Sequence, residues 1–313
     1  MNKKFRIIVA GIGGVGGYFG GKLADRFTGS EEAEIIFYAR GKNLEAIREN
    51  GLSMQTAAGN STVHPAIATD NASEAGIADL IICCVKSYHL ESVIEELKPC
   101  IGKETAVLPL LNGVDAAERL QKLVPGTGVW NGCVYIVSKL SAAGMIEQKG
   151  TVNALHFGAE NGDTEKLKYV LQLFLSAGIN AELHTNITRV TWQKFVFIST
   201  IGTLTSYLNT SIGEILNNGQ HKKLLIALLT EITGVAKAKQ IGLPEDIIES
   251  TLKRLESMPP ETTSSMQLDV AAGKQTEAET LTGYVIRRGK ELNVPTPTYK
   301  LVAERLTPAA HFK

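Results

Sequence analysis

The sequence predicts an α/β chain in which an N-terminal domain with a doubly wound parallel sheet is followed by an all-helical C-terminal domain. In the first half, short and almost continuously apolar segments alternate with helical patterns, which is typical of parallel strands covered on both faces. In the second half the strand pattern fades, and apolar residues recur at helical spacing. We place the boundary near residue 184, which gives predicted domains at 1–184 and 185–313.

The predicted elements follow one another in a regular order. Strands are predicted at residues 5–10, 34–39, 79–85 and 106–111, with further strand-like segments at 129–137 and 152–158. Helices are predicted at 15–27 and 167–175, and then through 225–235 and 278–285. In the second half, prolines at 259, 260, 295 and 297 separate the helical patterns from one another.

The composition is that of an ordinary globular protein without net charge. Of the 313 residues, 44% are hydrophobic, and 32 basic side chains balance 32 acidic ones. Nucleic-acid binders and anionic-membrane binders usually show a basic excess, so we expect neither partner. No window reaches the ~18 uninterrupted apolar residues of a membrane span. The apolar run near the N-terminus breaks into glycines where a signal peptide would continue.

The four cysteines show neither metal-ligand spacing nor a disulfide framework. They are Cys83, Cys84, Cys100 and Cys133. The six histidines show no ligand spacing either. We therefore expect a reduced, cytoplasmic protein with no metal centre.

A glycine-rich turn follows the first predicted strand and opens the first predicted helix. It fits the pattern G-x-G-x-x-G with Gly11, Ile12, Gly13, Gly14, Val15 and Gly16. The first glycine permits the tight turn, the second lets a pyrophosphate approach the backbone, and the third lets helix and strand pack closely. The helix N-terminus offers N–H groups to the phosphates. The turn predicts a Rossmann dinucleotide-binding domain, and a structural turn without a ligand is the alternative.

The end of the second strand indicates which dinucleotide is bound. Enzymes that use NAD usually carry an acidic residue there, which binds the ribose hydroxyls. This sequence has Arg40 instead, with Lys42 nearby. A guanidinium binds a phosphate in a directional fork. The sequence therefore predicts NADP(H), with Arg40 on the 2′-phosphate. The alternative is that Arg40 is a solvated surface residue.

Lys194 interrupts the apolar stripe of a predicted helix that begins near residue 186. The stripe consists of Val190, Phe197, Ile198, Ile201 and Leu204. Because burying an ammonium group is costly, a lysine in that position suggests a chemical role such as general acid. A lysine that extends its head group into water is the equal alternative.

A second candidate segment combines hydroxyl groups with an acidic residue. Ser264 and Ser265 lie near a predicted helix start, where hydroxyls and backbone N–H groups suit a carboxylate ligand. Glu277 opens the last amphipathic helix. On the residues alone, ordinary N-capping is the simpler explanation of the serines, and a favourable first-turn position is that of the glutamate.

Together these features resemble the ketopantoate reductase family over nearly the whole chain. The matching segments are GIGGVG at 11–16, CCVKSYH at 83–89, LLNGV at 110–114, WQKF at 192–195 and TSSMQLD to YVIRRG at 263–289. The resemblance implies a Rossmann domain followed by a helical domain, with the site in the cleft between them. It implies that a small-molecule 2-oxo acid, 2-dehydropantoate, is reduced to pantoate with NADPH in pantothenate biosynthesis.

The resemblance also assigns roles to residues on the substrate side. The catalytic lysine of the family matches Lys194, which would protonate or hydrogen-bond the ketone oxygen. The glutamate matches Glu277, which would bind the substrate hydroxyl and help to position Lys194. The carboxylate-binding serine matches Ser265, and the asparagine near nicotinamide and carbonyl matches Asn112.

On the phosphate side, the resemblance matches Arg40 and Lys86 to cofactor-binding residues. The sequence also departs from the family pattern, in which asparagines follow the lysine at four and eight residues and another lies near the next turn. Those positions hold Ile198, Gly202 and Ile212. The lysine, glutamate and serine are retained.

Two alternatives to reduction of 2-dehydropantoate remain open. The missing asparagines suggest an NADPH-dependent reductase of a different 2-oxo acid on the same fold. A non-catalytic NADP(H)-binding sensor would bind the cofactor without turnover. The sequence leaves the oligomeric state open, and a homodimer is compatible with it.

Overall fold

The computed structural model describes residues 3–160 and 163–306. The chain divides into two compact units, the first comprising Met1–Leu111 and Ala116–Ile187 and the second comprising Asn112–Asp115 and Thr188–Lys313. The tetrapeptide Asn112–Asp115 belongs to the second unit although it lies in the first half of the chain. The predicted single boundary near residue 184 does not account for this tetrapeptide.

The first unit contains both strands and helices. Its strands are β1 (Phe5–Ala10), β2 (Ala33–Tyr38), β3 (Leu52–Thr56), β4 (Gly59–Val63), β5 (Ile67–Thr69), β6 (Ala78–Cys83), β7 (Ile101–Pro109), β8 (Gly128–Val129), β9 (Asn131–Ala142), β10 (Met145–Gly158) and β11 (Asn180–Leu183). Its helices are α1 (Gly14–Phe27), α2 (Gly41–Asn50), α3 (Ala72–Ala75), α4 (Leu90–Leu97), α5 (Ala116–Leu123) and α6 (Thr164–Ser176).

Six of these strands form a parallel sheet in the order β5-β2-β1-β6-β7-β8. Alternate residues of β1 enter separate apolar clusters: Ile7 and Val9 belong to one, and Ile8 and Ala10 to the other. Because successive side chains point to opposite faces of a sheet, both faces are buried. The predicted doubly wound α/β fold is therefore confirmed.

A second sheet in the first unit goes beyond the sequence-based prediction. It has the order β11-β10-β3-β4, and β9 pairs with β10 in a long antiparallel hairpin. Its apolar residues Met54, Ile146 and Leu155 belong to the same buried cluster as Phe19 of α1. The pattern of β4 carries little signal, since four of its five residues are exposed. Strands β3 and β4 were consequently not predicted.

In the described residues of the second unit, the regular secondary structure is helical. Its helices are α7 (Ile187–Leu208), α8 (Ile212–Asn217), α9 (Gly219–Ala238), α10 (Ile247–Glu256), α11 (Ser265–Ala271), α12 (Tyr284–Glu291) and α13 (Pro297–Leu306). A π-helical turn at Glu279–Gly283 leads directly into α12. The predicted helical character of the C-terminal region is confirmed. Within the part of the chain described, no helix is long and apolar enough to cross a membrane.

Helix α7 is buried on more of its circumference than the predicted stripe suggested. Trp192 and Phe195 are almost completely buried, and so are the small hydroxyl residues Ser199 and Thr203. Val190, Phe197 and Ile198 of the predicted stripe are only partly buried, and Phe197 and Ile198 pack against the buried core of the second unit. The hydrogen bonds of the Ser199 and Thr203 hydroxyl groups allow them to be buried.

Candidate active site

The carboxyl ends of four parallel strands meet at one edge of the six-stranded sheet. Ala10 is the register partner of Tyr38 on one side and of Cys83 on the other, and Cys83 is aligned with Pro109. The chain leaves β1 into the glycine turn, β2 towards Arg40 and β6 towards Lys86. The strand order reverses between β1 and β6, in the middle of the sheet. Ligands of such sheets usually bind beside the carboxyl ends of the strands at this point.

The glycine turn has the geometry that a close approach to phosphate requires. Gly11 has φ = 91°, and a Cβ atom there would lie 2.7 Å from Val85 Cγ1. A Cβ on Gly16 would lie 2.9 Å from the Cβ of Cys84. At Gly13, by contrast, a Cβ would meet no atom within 4 Å, so this side of the turn is open. The helix α1 that follows has no side-chain N-cap.

Asn43 holds the glycine turn in place, and sequence reasoning had missed this residue. Its side-chain amide donates to the carbonyl oxygen of Ile12 at 2.8 Å. Its side-chain oxygen accepts a hydrogen bond from the backbone N–H of Gly144 at 2.8 Å. Asn43 lies in the first turn of α2, three residues after Arg40, where a polar residue gave no signal beyond an ordinary helix start.

Arg40 immediately precedes α2 and is engaged by an acidic residue. Its half-exposed guanidinium forms an ion pair with Glu96 of α4. The hydroxyl of Tyr38 donates to the same carboxylate at 2.7 Å. Burial, together with this contact to Glu96, raises the pKa of Tyr38 to about 12. No acidic residue lies at the end of β2, but Arg40 still has an acidic partner, because Glu96 reaches it from α4.

Lys86 follows β6 at the same edge of the sheet. It is exposed and immediately precedes a single 3₁₀ turn at Ser87–His89. Lys42 is exposed as well, in the first turn of α2. The structure thus places the predicted cofactor-binding residues of the first unit along one sheet edge.

The second unit brings Asn112, Lys194 and Glu277 together. Lys194 Nζ donates to Asn112 Oδ1 at 3.1 Å, and Asn112 Nδ2 donates to Glu277 Oε2 at 3.3 Å. Lys194 is 8% exposed and Glu277 is 6% exposed. An ammonium donates only and a carboxylate accepts only, so the orientation of the bridging amide is determined by its partners. Burial of opposite charges linked by an amide is a costly arrangement that is typical of functional sites.

The Asn112–Gly113 turn is shaped to present this amide. Gly113 has φ = 103°, a value that L side chains rarely adopt. A Cβ atom at Gly113 would also collide with Cγ2 of Thr280, which lies in the π-helical turn just after Glu277. The close approach of turn and helix therefore requires glycine, and it keeps Asn112 beside the carboxylate.

Hydroxyl groups of α7 brace the same π-helical turn. Ser199 Oγ donates to the carbonyl oxygen of Leu281 at 2.6 Å, and Thr203 and Thr282 share a hydrogen bond of 2.7 Å. A π-helical turn departs from the regular helical ladder, and such turns are frequent at functional sites. These contacts join the helix that carries Lys194 to the segment that carries Glu277. The signal for them in the sequence is the set of hydroxyl residues in an otherwise apolar helix.

Ser264 and Ser265 have different structural roles at the start of α11. Ser264 is the N-cap of α11, and its hydroxyl accepts from the N–H of Gln267 at 3.0 Å and pairs with Thr205 at 2.7 Å. Ser265 is the first residue of that helix and is exposed. N-capping thus explains Ser264, while the hydroxyl of Ser265 is not the cap.

Apolar residues replace the asparagines that the resemblance would lead one to expect. Ile198 and Gly202 follow Lys194 by one and two helical turns, on the same side of α7. Ile198 is partly buried, and a Cβ at Gly202 would lie 3.2 Å from Leu281. Ile212 is 1% exposed and belongs to the core of the second unit. The neighbourhood of Lys194 along α7 is therefore less polar than the family pattern.

Comparison with known proteins gives a consistent result over the whole chain. The family model "Ketopantoate reductase PanE/ApbA" matches residues 7–162, and the model of the C-terminal part of that family matches residues 186–309. The uncharacterized oxidoreductase YkpB of Bacillus subtilis is 29% identical over 304 residues, which cover 96% of this chain and 97% of that protein. The 2-dehydropantoate 2-reductase of Halobacterium salinarum is 27% identical over 301 residues, covering 96% and 97%.

A solved structure extends this result to the fold. The 2-dehydropantoate 2-reductase from Porphyromonas gingivalis is 36% identical and superimposes with a TM-score of 0.85, covering 97% of this chain and 99% of that one. Fold and relatives define an oxidoreductase that acts on a CH–OH group. The chain belongs to the ketopantoate reductase family.

Proposed function

We propose that this protein reduces 2-dehydropantoate to pantoate with NADPH, a step of pantothenate biosynthesis. The observation that carries the proposal is the buried cluster in which Asn112 connects Lys194 with Glu277. A cation held in a buried site suits a reaction that develops negative charge on a carbonyl oxygen. The names of the relatives from Halobacterium salinarum and Porphyromonas gingivalis point to the same reaction.

Lys194 is the proposed proton donor to the ketone oxygen. When bound, NADPH supplies the hydride that adds to the carbonyl carbon. The negative charge that develops on oxygen is stabilised by the ammonium group, which then transfers a proton to give the hydroxyl of the product. Asn112 orients the ammonium through its hydrogen bond, and the carboxylate of Glu277 on the other side of the amide offsets the buried charge. We assign the hydroxyl of the substrate to Glu277 and its carboxylate to Ser265.

Features of the first unit support the proposal that it binds NADP(H). The open side of the turn at Gly13 leaves room for a pyrophosphate, and the first turn of α1 has no side-chain cap that would compete for its N–H groups. We assign the 2′-phosphate to Arg40, with Lys86 assisting. Because Glu96 already engages Arg40, binding of the phosphate requires the guanidinium to exchange or share that partner.

A second candidate function is supported by Ile198 and Gly202. An apolar residue one turn after Lys194 cannot donate a hydrogen bond to a substrate hydroxyl, whereas a site built for such a bond rejects analogues that lack it. These residues favour a 2-oxo acid without the 4-hydroxyl. The two candidates share the cofactor and the proton donor, and they differ in substrate preference.

The decisive experiment measures NADPH oxidation with 2-dehydropantoate and with 3,3-dimethyl-2-oxobutanoate, the analogue that lacks only the 4-hydroxyl. Wild-type enzyme should prefer 2-dehydropantoate in kcat/KM, and preference for the analogue would transfer the proposal to the second candidate. Lys194→Ala should lose about 10²–10⁴-fold in kcat, as expected for removal of a general acid. It should bind NADPH normally in a fluorescence titration.

Lys223→Ala is the matched control, because Lys223 is an exposed lysine of α9. It should retain wild-type kcat and KM. Turnover of Lys194→Ala at the control rate would remove this lysine from the mechanism. NADPH binding without turnover of any 2-oxo acid by wild-type protein would instead identify a sensor.

We further propose that the reaction takes place in the cytoplasm. The four cysteines are free thiols, and Cys83 and Cys100 are completely buried. Burial raises the pKa of the Cys83 thiol to about 12, so this thiol is protonated and inert at neutral pH. Free thiols are ordinary in a reducing compartment.

A further inference from the structure

Three side chains of types that can bind a metal ion, His156, Glu182 and His184, meet at the end of the second sheet, and His156 is distant in sequence from the other two. Strands β10 and β11 are parallel neighbours, and His156 is the register partner of Glu182. His184 follows Glu182 by two residues, and its N–H donates to the carbonyl oxygen of Phe157 at 2.9 Å, which continues the strand pairing. Because alternate residues of a strand share a face, His156, Glu182 and His184 lie on the same side of the sheet.

The separations of the ligand atoms are close to those in a tetrahedral metal site. His156 Nδ1 lies 2.9 Å from His184 Nε2, and each of these nitrogens lies 3.4 Å from Glu182 Oε2. Zinc binds nitrogen and oxygen at about 2.0–2.2 Å, so two ligands of a tetrahedron are about 3.3 Å apart. An ion between the three atoms would therefore require side-chain shifts of only a few tenths of an ångström.

The backbone that carries these ligands is tightly packed. A Cβ atom at Gly158 would collide with the carbonyl oxygen of His184 and would lie 3.3 Å from the Cβ of Ile187. The ring of Tyr135 packs edge-on against that of His156, with centroids 5.6 Å apart. The imidazoles are thus held in position by the strand pairing and by a neighbouring ring, which reduces the entropy lost on binding an ion.

We propose that His156 Nδ1, His184 Nε2 and Glu182 Oε2 form a binding site for a divalent transition-metal ion, with zinc as the probe. Two imidazoles and one carboxylate are a typical zinc ligand set. The side chains of His184 and Glu182 are 27% and 60% exposed, so water can reach the fourth position. Linear spacing had suggested no metal site, because His156 is separated from the other two ligands by the whole of α6.

The ion stabilises the end of the strand pair that leads into α7. The two imidazoles share one hydrogen bond, so the donor ring has to move its proton to its other nitrogen for the ion to bind. The ion then replaces that hydrogen bond with three coordinate bonds, which link His156 of β10 to Glu182 of β11 and to His184 just after it. A ligand that binds only the folded state raises the stability of that state. The site takes no part in the proposed hydride transfer.

The test uses full-length protein without a histidine tag. Zinc should bind with one equivalent per chain in a competition titration against a chromophoric chelator, and it should raise the melting temperature. Cobalt(II) in the same site should show the intense visible bands of tetrahedral coordination. Loss of a direct ligand in His184→Ala or Glu182→Gln should weaken zinc by more than the ~10–100-fold typical of disturbed supporting contacts.

His64→Ala is the matched control, because His64 is an exposed histidine outside the cluster. It should bind zinc like the wild type. Glu182→Gln changes an exposed side chain and keeps its shape, so a folding defect does not obscure its result. Zinc affinity that is equal in wild type and Glu182→Gln, or absent from the wild type, would overturn the proposal. Either outcome leaves the reductase assignment unaffected.

Discussion

Replacing Asn112 tests whether the buried cluster works as a connected unit. The amide of Asn112 accepts from Lys194 at 3.1 Å and donates to Glu277 at 3.3 Å. Asn112→Ala removes both bonds and leaves two buried charged groups without their bridge. A hydrogen bond to a charged group contributes about 1.5–3 kcal/mol. The two bonds share one side chain, so we expect a loss of about one such contribution, which corresponds to about 10–150-fold in kcat.

Asn112→Asp separates the two halves of the bridge. An aspartate keeps the oxygen that accepts from Lys194, but it replaces the donor towards Glu277 with a second carboxylate. Like charges in a buried site repel each other strongly. We therefore expect Asn112→Asp to recover little of the activity that Asn112→Ala loses. Full recovery would mean that only the contact with Lys194 matters.

Single-turnover oxidation of bound NADPH is the appropriate assay, because it reports the chemical step apart from product release. Binding of NADPH and the melting temperature are measured on the same samples. If both variants turn over within twofold of the wild type while Lys194→Ala is impaired, the bridge through Asn112 is not part of the mechanism.

Two further predictions concern the cofactor and the shape of the site. Arg40→Asp should raise the KM for NADPH much more than the KM for NADH, and equal changes for both cofactors would refute the assignment of Arg40 to the 2′-phosphate. Glu96→Gln should lower the KM for NADPH, because it frees the guanidinium of Arg40 from its ion pair. Gly113→Ala should lower the melting temperature and kcat together, because the φ of 103° and the close contact with Thr280 exclude a Cβ atom. Wild-type kinetics and melting in that variant would show that the turn tolerates a side chain.

Much of the first unit could be predicted from local sequence. The glycine motif from Gly11 to Gly16 has a defined spacing, and β1 and α1 lie where its context required them. Apolar periodicity likewise predicted α9, whose Leu225, Leu228 and Ile232 are completely buried. These features depend on residues close together in the chain, so periodicity and turn chemistry are sufficient to reveal them.

The substrate side was predictable only through resemblance. Periodicity left Lys194 balanced between a chemical role and a solvated head group, and it left Glu277 as an ordinary first-turn acid. The structure buries both side chains and connects them through Asn112, which is 82 residues from Lys194 and 165 residues from Glu277. Burial and partner identity are properties of the packed molecule, and no local pattern contains them.

The sequence by itself determined the fold class, the strands and helices with clear apolar periodicity, the place of the glycine turn, and the absence of an excess charge. Only the tertiary structure decided which side chains meet. Strand register brought His156 beside Glu182, the fold brought Glu96 of α4 to Arg40, and a glycine turn inserted Asn112 between a buried cation and a buried anion. The physical reason is that secondary structure follows from local periodicity, whereas a site depends on register and packing between distant segments.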